Sequence, residues 1–178
     1  METEIELLNL ARRLNKDALI TIFDFYSVSL YRYALLLCND PVMADQVVGD
    51  VFAKLLDHFS SGNGPSNNLR YYLYKIAFHQ VVDEVRILNR NALLEAPEFI
   101  KSNINISFIS LDNQLQFKQV LFAIQNDLTN DQRHVIILRF LEGFSLNESA
   151  EILGKKVGNI KVIQNRAIAA LRKALEDK

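Results

Sequence analysis

Between Lys155 and Lys173 the chain places six basic side chains, Lys155, Lys156, Lys161, Arg166, Arg172 and Lys173, and no acidic one. Asn159 and Asn165 lie among them. Cations neutralise phosphates, and Asn and Arg form hydrogen bonds with base edges, so the chemistry on offer is nucleic-acid recognition. A helical period turns Val157, Ile160, Ile163/Gln164, Ala167, Ala170/Leu171 and Ala174 inward. Asn159, Lys161, Val162, Asn165 and Arg166 are left on other faces. A second mixed stretch, Leu69–Leu88, carries Arg70, Tyr71, Tyr74, Lys75, Phe78, His79 and Arg86. Aromatic rings stack on unpaired bases for ~1–3 kcal/mol each, while cations hold the backbone. The residues alone leave two readings of these rings open, a strand-holding surface or ordinary packing inside a helical bundle.

Bond-making chemistry has no comparable signal. His58, His79 and His134 are isolated, and no Cys/His cluster has metal-ligand spacing. There is no phosphate-cradling glycine loop and no nucleophile motif. Asp45 and Asp50 are offset by five residues and therefore fall on different helix faces, which suits a solvated or partner-facing surface. Cys38, within an apolar run, reads as a buried structural thiol. No enzyme activity and no cofactor are expected.

The elements that must carry the basic run are well punctuated. Thr129-x-x-Gln132 and Ser145-x-x-Glu148 have capping-box spacing and mark two helix starts. Gly143 follows the apolar run Val135–Leu141, where a glycine ends a helix. Ser145–Leu153 is then a short helix with Ala150 and Leu153 inward. Gly154-Lys155-Lys156 forms a turn, and Val157 to about Leu175 is a second helix. This is the helix-turn-helix pattern, whose second helix enters the major groove.

Toward the N-terminus, Glu4–Leu14, Asp17–Tyr26 and Val28–Leu37 read as three helices. Asp40 caps a fourth that begins at Pro41 and reaches about Phe59, with Ala44, Val48, Val51, Phe52 and Leu55 on its apolar face. Gly49 inside it costs ~1 kcal/mol against Ala, which points to a close neighbour there. Ser60–Asn68 is a polar loop. Leu69–Leu88 follows, with Leu69, Leu73, Ile76/Ala77, Gln80/Val81 and Val85 facing the core. Asn89–Asp112 reads as a linker, and its alternating Asn103–Phe108 as an extended docking segment. A helix over Asn113–Asp127 leads into the C-terminal pattern. The expected fold is all-α: two small helical domains, 1–88 and 113–178, joined by an extended linker, 89–112.

Of the 178 residues 49% are hydrophobic and 23% charged, which fits a globular chain. The net charge of −1 hides an asymmetry. Up to Ser60, five basic residues face nine acidic ones, while the C-terminal part is basic. One end therefore suits DNA and the other a basic or apolar protein surface. No signal peptide and no membrane insertion are expected, which implies a cytoplasmic protein.

The order of parts resembles the extracytoplasmic-function (ECF) group of bacterial sigma factors, within the sigma-70 family, from Ala18 to Leu175. The resemblance is carried by Leu128-x-x-x-Gln132-Arg133, Leu138–Ser145, Ala150–Gly154, Val157-Gly158 and Arg166-Ala167-x-x-x-Leu171. These are similar to the domain that reads the −35 element. The resemblance implies −35 contacts from Lys155, Lys156, Gly158, Asn159, Lys161, Val162, Asn165 and Arg166. Ala44-Asp45-x-Val47-Val48-x-Asp50-Val51-Phe52 resembles the helix that docks on the β′ clamp helices of core RNA polymerase. It implies polymerase contacts from Asp45, Val48, Asp50 and Phe52, with the β flap as the other docking point on polymerase. Tyr72-Leu73-x-Lys75-Ile76-Ala77 and Asp83-x-x-Arg86 resemble the segment that melts and holds the −10 element. Asn63, Asn67, Arg70, Tyr71, Tyr72, Lys75, His79, Asp83 and Arg86 are the implied −10 contacts, with Ser60–Asn68 capturing a flipped base. The linker would thread near the polymerase active centre and the RNA exit path. Promoter DNA, both duplex and melted, is the implied nucleic acid, and an anti-sigma factor or recruiting protein a further partner.

Several positions depart from the family. Gln46 and Gly49 stand where an acidic residue and a glutamine are usual, and Tyr72 and His79 replace Trp and Asn. Gly158–Ile163 replaces Gly-Thr-Val-Lys-Ser-Arg, so Val162 and Ile163 stand for a hydroxyl and a cation. Each lost phosphate contact lowers the salt slope by about one unit, so unaided −35 recognition is expected to be weak and helped by a recruiter. Val162→Ser with Ile163→Arg is expected to strengthen it. The rival readings are a helix-turn-helix regulator that ignores polymerase, and a degenerate sigma-like adaptor that binds polymerase without initiating.

Overall fold

The computed structural model describes residues 4–92 and 111–176, with side chains for 4–86 and 116–176. All regular structure among these residues is helical. The chain divides into two compact units, one within Met1–Pro97 and the other within Glu98–Lys178.

In the first unit α1 spans Glu4–Arg12, α2 Lys16–Cys38, α3 Pro41–Ser60 and α4 Leu69–Ala92. The Asn15 side chain accepts from the Ala18 amide at 3.0 Å and so caps α2. Where the sequence suggests two helices, Asp17–Tyr26 and Val28–Leu37, α2 is continuous. Ser29 Oγ, just past the expected break at Ser27, donates to the Tyr26 carbonyl at 2.9 Å within the helix. The join makes α2 long and apolar enough to cross a membrane by length and composition. It packs instead as the central helix of the unit, burying Ile22, Tyr26, Leu30 and Tyr33–Leu37.

Asn39 ends α2 in the left-handed conformation, and Asp40 caps α3 by accepting from the Met43 amide at 2.9 Å, with Pro41 opening the helix. The core of the unit joins Ile22 and Leu30 of α2, Val51 and Leu55 of α3, and Leu69, Leu73 and Tyr74 of α4. Each such aliphatic side chain contributes ~1.5–3 kcal/mol by leaving water. Gly49 has no close neighbour after all: a Cβ built there meets nothing within 4 Å. The helix α4 runs on through residues expected in the linker, to Ala92. The alternating segment Asn103–Phe108 lies outside the described residues.

The second unit holds α5 (Leu111–Asn126), α6 (Asn130–Ile136), a π-helical turn (Ile137–Leu141), α7 (Leu146–Ile152) and α8 (Val157–Glu176). Both capping boxes form in full. Thr129 and Gln132 exchange side-chain and backbone bonds at the start of α6, and Ser145 and Glu148 do so at α7. Gly143 and Gly154 take φ of +70° and +61°, the left-handed conformation that ends each preceding segment. Ile124, Ile137, Leu138, Phe144, Ile160 and Ala167 form the core.

Candidate nucleic-acid and polymerase interfaces

The helix α8 is divided lengthwise. Ile160 and Ala167 are buried, and Val157, Ile163, Gln164, Ala170, Leu171 and Ala174 are half-buried, along the expected inward stripe. Lys156, Gly158, Asn159, Lys161, Val162, Asn165 and Arg166 are all exposed. Lys156 belongs to the turn before the helix; at ~100° per residue the other six share one face of α8 that also carries Arg172 and Lys173. Val162, 49% exposed, is a large apolar side chain in the middle of this polar face. Lys155 stands apart: its ammonium lies 3.0 Å from an Asp131 carboxylate oxygen, so it joins the turn before α8 to the start of α6.

Arg139 was not singled out by the sequence, yet it fixes the inner side of α8. Its Nε donates to Gln164 Oε1 at 3.1 Å, and its terminal nitrogen donates to the Phe144 carbonyl. One planar guanidinium thus links the π-helical turn, the segment before α7 and α8. His134 of α6 is buried nearby in sequence. Desolvation pushes its pKa down to about 4, with Asp131 pulling upward and Arg133 and Lys155 adding to the fall.

On α4, Tyr71, Lys75, His79, Asp83 and Arg86 fall along one edge. Lys75 Nζ sits 5.8 Å from the Tyr71 ring centroid, a cation–π contact on the exposed side. Arg86 lies 3.5 Å from Asp83, so part of its charge is already balanced. Two members of the expected strand-holding set lie elsewhere. Tyr74 is fully buried, its ring meeting Tyr33 edge-on with centroids 5.3 Å apart. Arg70 is half-buried, 5.8 Å from the Tyr74 ring, on the side away from the Tyr71–Lys75 edge. Tyr72 is half-buried, and its hydroxyl is hydrogen-bonded to His58 Nδ1. Burial raises the Tyr72 phenol pKa. Asn63 and Asn67 are exposed in the loop, where Asn63 Nδ2 donates to Ser61 Oγ at 3.3 Å.

On α3 the four candidate polymerase contacts are presented unequally. Asp45 is exposed, and Asp50 is half-buried, accepting from Gln80 Nε2 of α4 at 3.0 Å. Val48 is 8% exposed, because it belongs to the inward face of α3, so it supports the surface more than it forms it. Phe52 packs on Phe23 of α2 with centroids 4.8 Å apart. Together these rings line an apolar groove with Leu19, Ile20, Leu55 and Leu56, and Lys16 borders it. The sequence held this signal in the Ile20/Phe23 and Phe52/Leu56 spacings, but the pairing of α2 with α3 needs the tertiary fold.

No group of three or more His, Cys, Asp or Glu among the described residues could hold a metal ion. One unit is a bundle with an aromatic and basic edge, and the other a helix-turn-helix with no acid from Lys155 to Lys173, a combination that fits the class of DNA-binding transcription proteins. The family patterns narrow this further: sigma-70 region 2 matches residues 22–91, and sigma-70 region 4 matches residues 126–173. The chain belongs to the sigma-70 family, in its ECF group.

Curated relatives agree. The ECF RNA polymerase sigma factor SigX of Bacillus subtilis is 27% identical over 160 residues, covering 87% of this chain and 82% of SigX. BldN of Streptomyces coelicolor, also an ECF sigma factor, is 27% identical over 97% of this chain, which spans 66% of BldN. Among solved structures, the sigma factor RpoE in complex with the anti-sigma factor NepR from Bartonella quintana is similar. Its TM-score is 0.73 at 27% identity, over 88% of this chain and 95% of RpoE. CnrH, solved with the cytosolic domain of CnrY, shares the fold with a TM-score of 0.71 at 22% identity, over 97% of this chain and 96% of CnrH.

Proposed function

We propose that this protein binds core RNA polymerase in the cytoplasm, directs it to promoters with separate −10 and −35 elements, and helps open the DNA, with no catalysis or cofactor of its own. The observation that carries the reading is the division of α8, whose exposed face holds Asn159, Lys161, Asn165 and Arg166 with no acid from Lys155 to Lys173. Lys161 and Arg166 hold phosphates, while Asn159 and Asn165 reach base edges. The Tyr71–Lys75–His79 edge, with Tyr72, Asn63 and Asn67, receives the opened −10 strand. Asp45 and Asp50, with Phe52 behind them, dock on the clamp helices, and the second unit meets the β flap.

Ile163 is half-buried, so of the two apolar replacements in α8 only Val162 fully faces outward. A face with an apolar centre makes fewer phosphate contacts, which supports a recruiting protein as part of the promoter complex. An anti-sigma factor of the kind solved with RpoE is the complementary partner, holding the protein away from polymerase.

The test is open-complex formation on a fluorescent promoter library with core polymerase from the same organism. Open complexes at a shared bipartite motif are expected. Binding to core without opening would leave a recruiter to be found by pulling the protein from cells, and no binding to core would overturn the reading.

A further inference from the structure

His58, in the last turn of α3, holds two other parts of the first unit. Its Nδ1 is hydrogen-bonded to the Tyr72 hydroxyl of α4, and the two rings meet at 70° with centroids 5.9 Å apart. Its carbonyl accepts from the Asn63 amide at 2.8 Å and from Ser61 Oγ at 3.2 Å. The side chain therefore fixes the start of α4, and the backbone fixes the start of the loop that joins the two helices.

The loop is itself packed against this corner. A Cβ at Gly64 would lie 2.2 Å from the Phe59 ring, so the chain passes directly over the residue that follows His58. At the far end Asn68, with φ of +45°, caps α4 by accepting from the Tyr71 amide at 3.2 Å. Loop and helix start are thus built as one piece with His58 at its hinge.

We infer that His58 is a positioning residue that sets the Tyr72 ring and the 61–68 loop in a fixed mutual arrangement, so that together they receive an unpaired nucleotide of the opened promoter. The inference rests on the sigma-factor reading above and deepens it. Tyr72 supplies a ring against which a base can stack, and Asn63 and Asn67 supply amides that can pair with an exposed base edge. When the phenol donates, Nδ1 accepts and the imidazole carries its proton on Nε2. The hydroxyl is then occupied within the protein and orients the ring; it is not a group that reads the base.

The experiment uses the full chain with core polymerase and a promoter carrying 2-aminopurine at each −10 position in turn. Tyr72→Phe keeps the ring and removes only the hydrogen bond, and His58→Ala removes the other partner. Each is expected to slow opening about five- to tenfold, the worth of one ordinary hydrogen bond. The double variant should be no slower than either single one, because both remove the same contact. His58→Asn, which places an acceptor near the Nδ1 position, should recover part of the rate. Affinity for core should match the wild type.

Additive losses, unchanged opening in Tyr72→Phe, or an equal loss in core affinity would each overturn the inference. Where His58→Ala lowers the melting temperature, Tyr72→Phe and the Asn rescue decide. If the wild-type protein itself opens no promoter, the sigma-factor reading falls and this inference with it. If the wild type opens DNA and the variants match it, only the role of His58 falls.

Discussion

Gln80 Nε2 of α4 donates to a carboxylate oxygen of Asp50 of α3 at 3.0 Å. Lys54 donates to the amide oxygen of the same Gln80, and Gln46 Nε2 meets Glu84 at 3.4 Å. With His58 and Tyr72 added, the partners run in opposite order along the two helices: Gln46 meets Glu84, Asp50 and Lys54 meet Gln80, and His58 meets Tyr72. The two helices are therefore held in an antiparallel register by a polar seam above the apolar core. The Asp50 carboxylate, proposed to dock on polymerase, is part of that seam, while that of Asp45 is not.

Asp45 and Asp50 should consequently separate by experiment. Asp50→Ala leaves Gln80 short of an acceptor and is expected to cost ~1–2 kcal/mol of stability as well as polymerase affinity. Asp45→Ala, at an exposed position, should weaken core binding while leaving the unfolding midpoint within about 0.5 kcal/mol of wild type. Urea melts beside a core-binding titration distinguish the two. An equal loss of stability from both would refute the seam.

Gly49→Ala should stabilise the first unit by about 1 kcal/mol, because the added methyl meets open space on a helix surface. A raised melting temperature together with weakened core binding would mark Gly49 as a point of close approach for the clamp helices. A lowered melting temperature would contradict the geometry.

The second unit should lose stability in acid through His134. Its folded pKa, about 4, lies below the unfolded value near 6.5, so between these limits the unfolded chain binds a proton that the folded chain excludes. Stability is full above about pH 6.5 and declines as pH falls toward about 4, by on the order of 3 kcal/mol in all. Hydrogen exchange of the α6 amides at about pH 7 and about pH 5 reads this slope. His134→Gln should flatten it, and a slope that survives the substitution would assign it to other groups.

Val162 places an isopropyl group where the rest of the α8 face is polar, and the natural apolar target in a major groove is the thymine methyl. Replacing each thymine of the −35 element by uracil, one at a time, should weaken wild-type binding several-fold at one position. Val162→Ser should remove that sensitivity, whereas a uracil effect that persists in the variant would place the methyl against another residue.

Much of this molecule was legible because its signals are local. The Thr129/Gln132 and Ser145/Glu148 boxes, the Asp40-Pro41 start and the glycine stops depend on neighbours within a turn, and each formed as its spacing implied. The inward stripe of α8 followed from period alone. Tyr74 was placed outward because it lies only ~60° from Tyr71 on the helix. Its true direction is set by Tyr33, on a different helix. The same reason hid the His58–Tyr72 bond and the Arg139 fork, which need tertiary register before either partner is in reach. The break expected in α2 did not form, because the buried stripe Ile22, Tyr26, Leu30 and Tyr33 runs through Ser27 without interruption.

The π-helical turn at Ile137–Leu141 holds one residue more than an α-helical turn would. In genetic terms it is a place where the chain could shed a codon and still write a helix. The reading frame of contacts would not survive the edit. The flanking faces would keep their phase, but the side chains inside the turn would be re-aimed, and Arg139 would leave both Gln164 and the Phe144 carbonyl. The surplus residue is thus the spacer that aims Arg139 at the two segments it ties together.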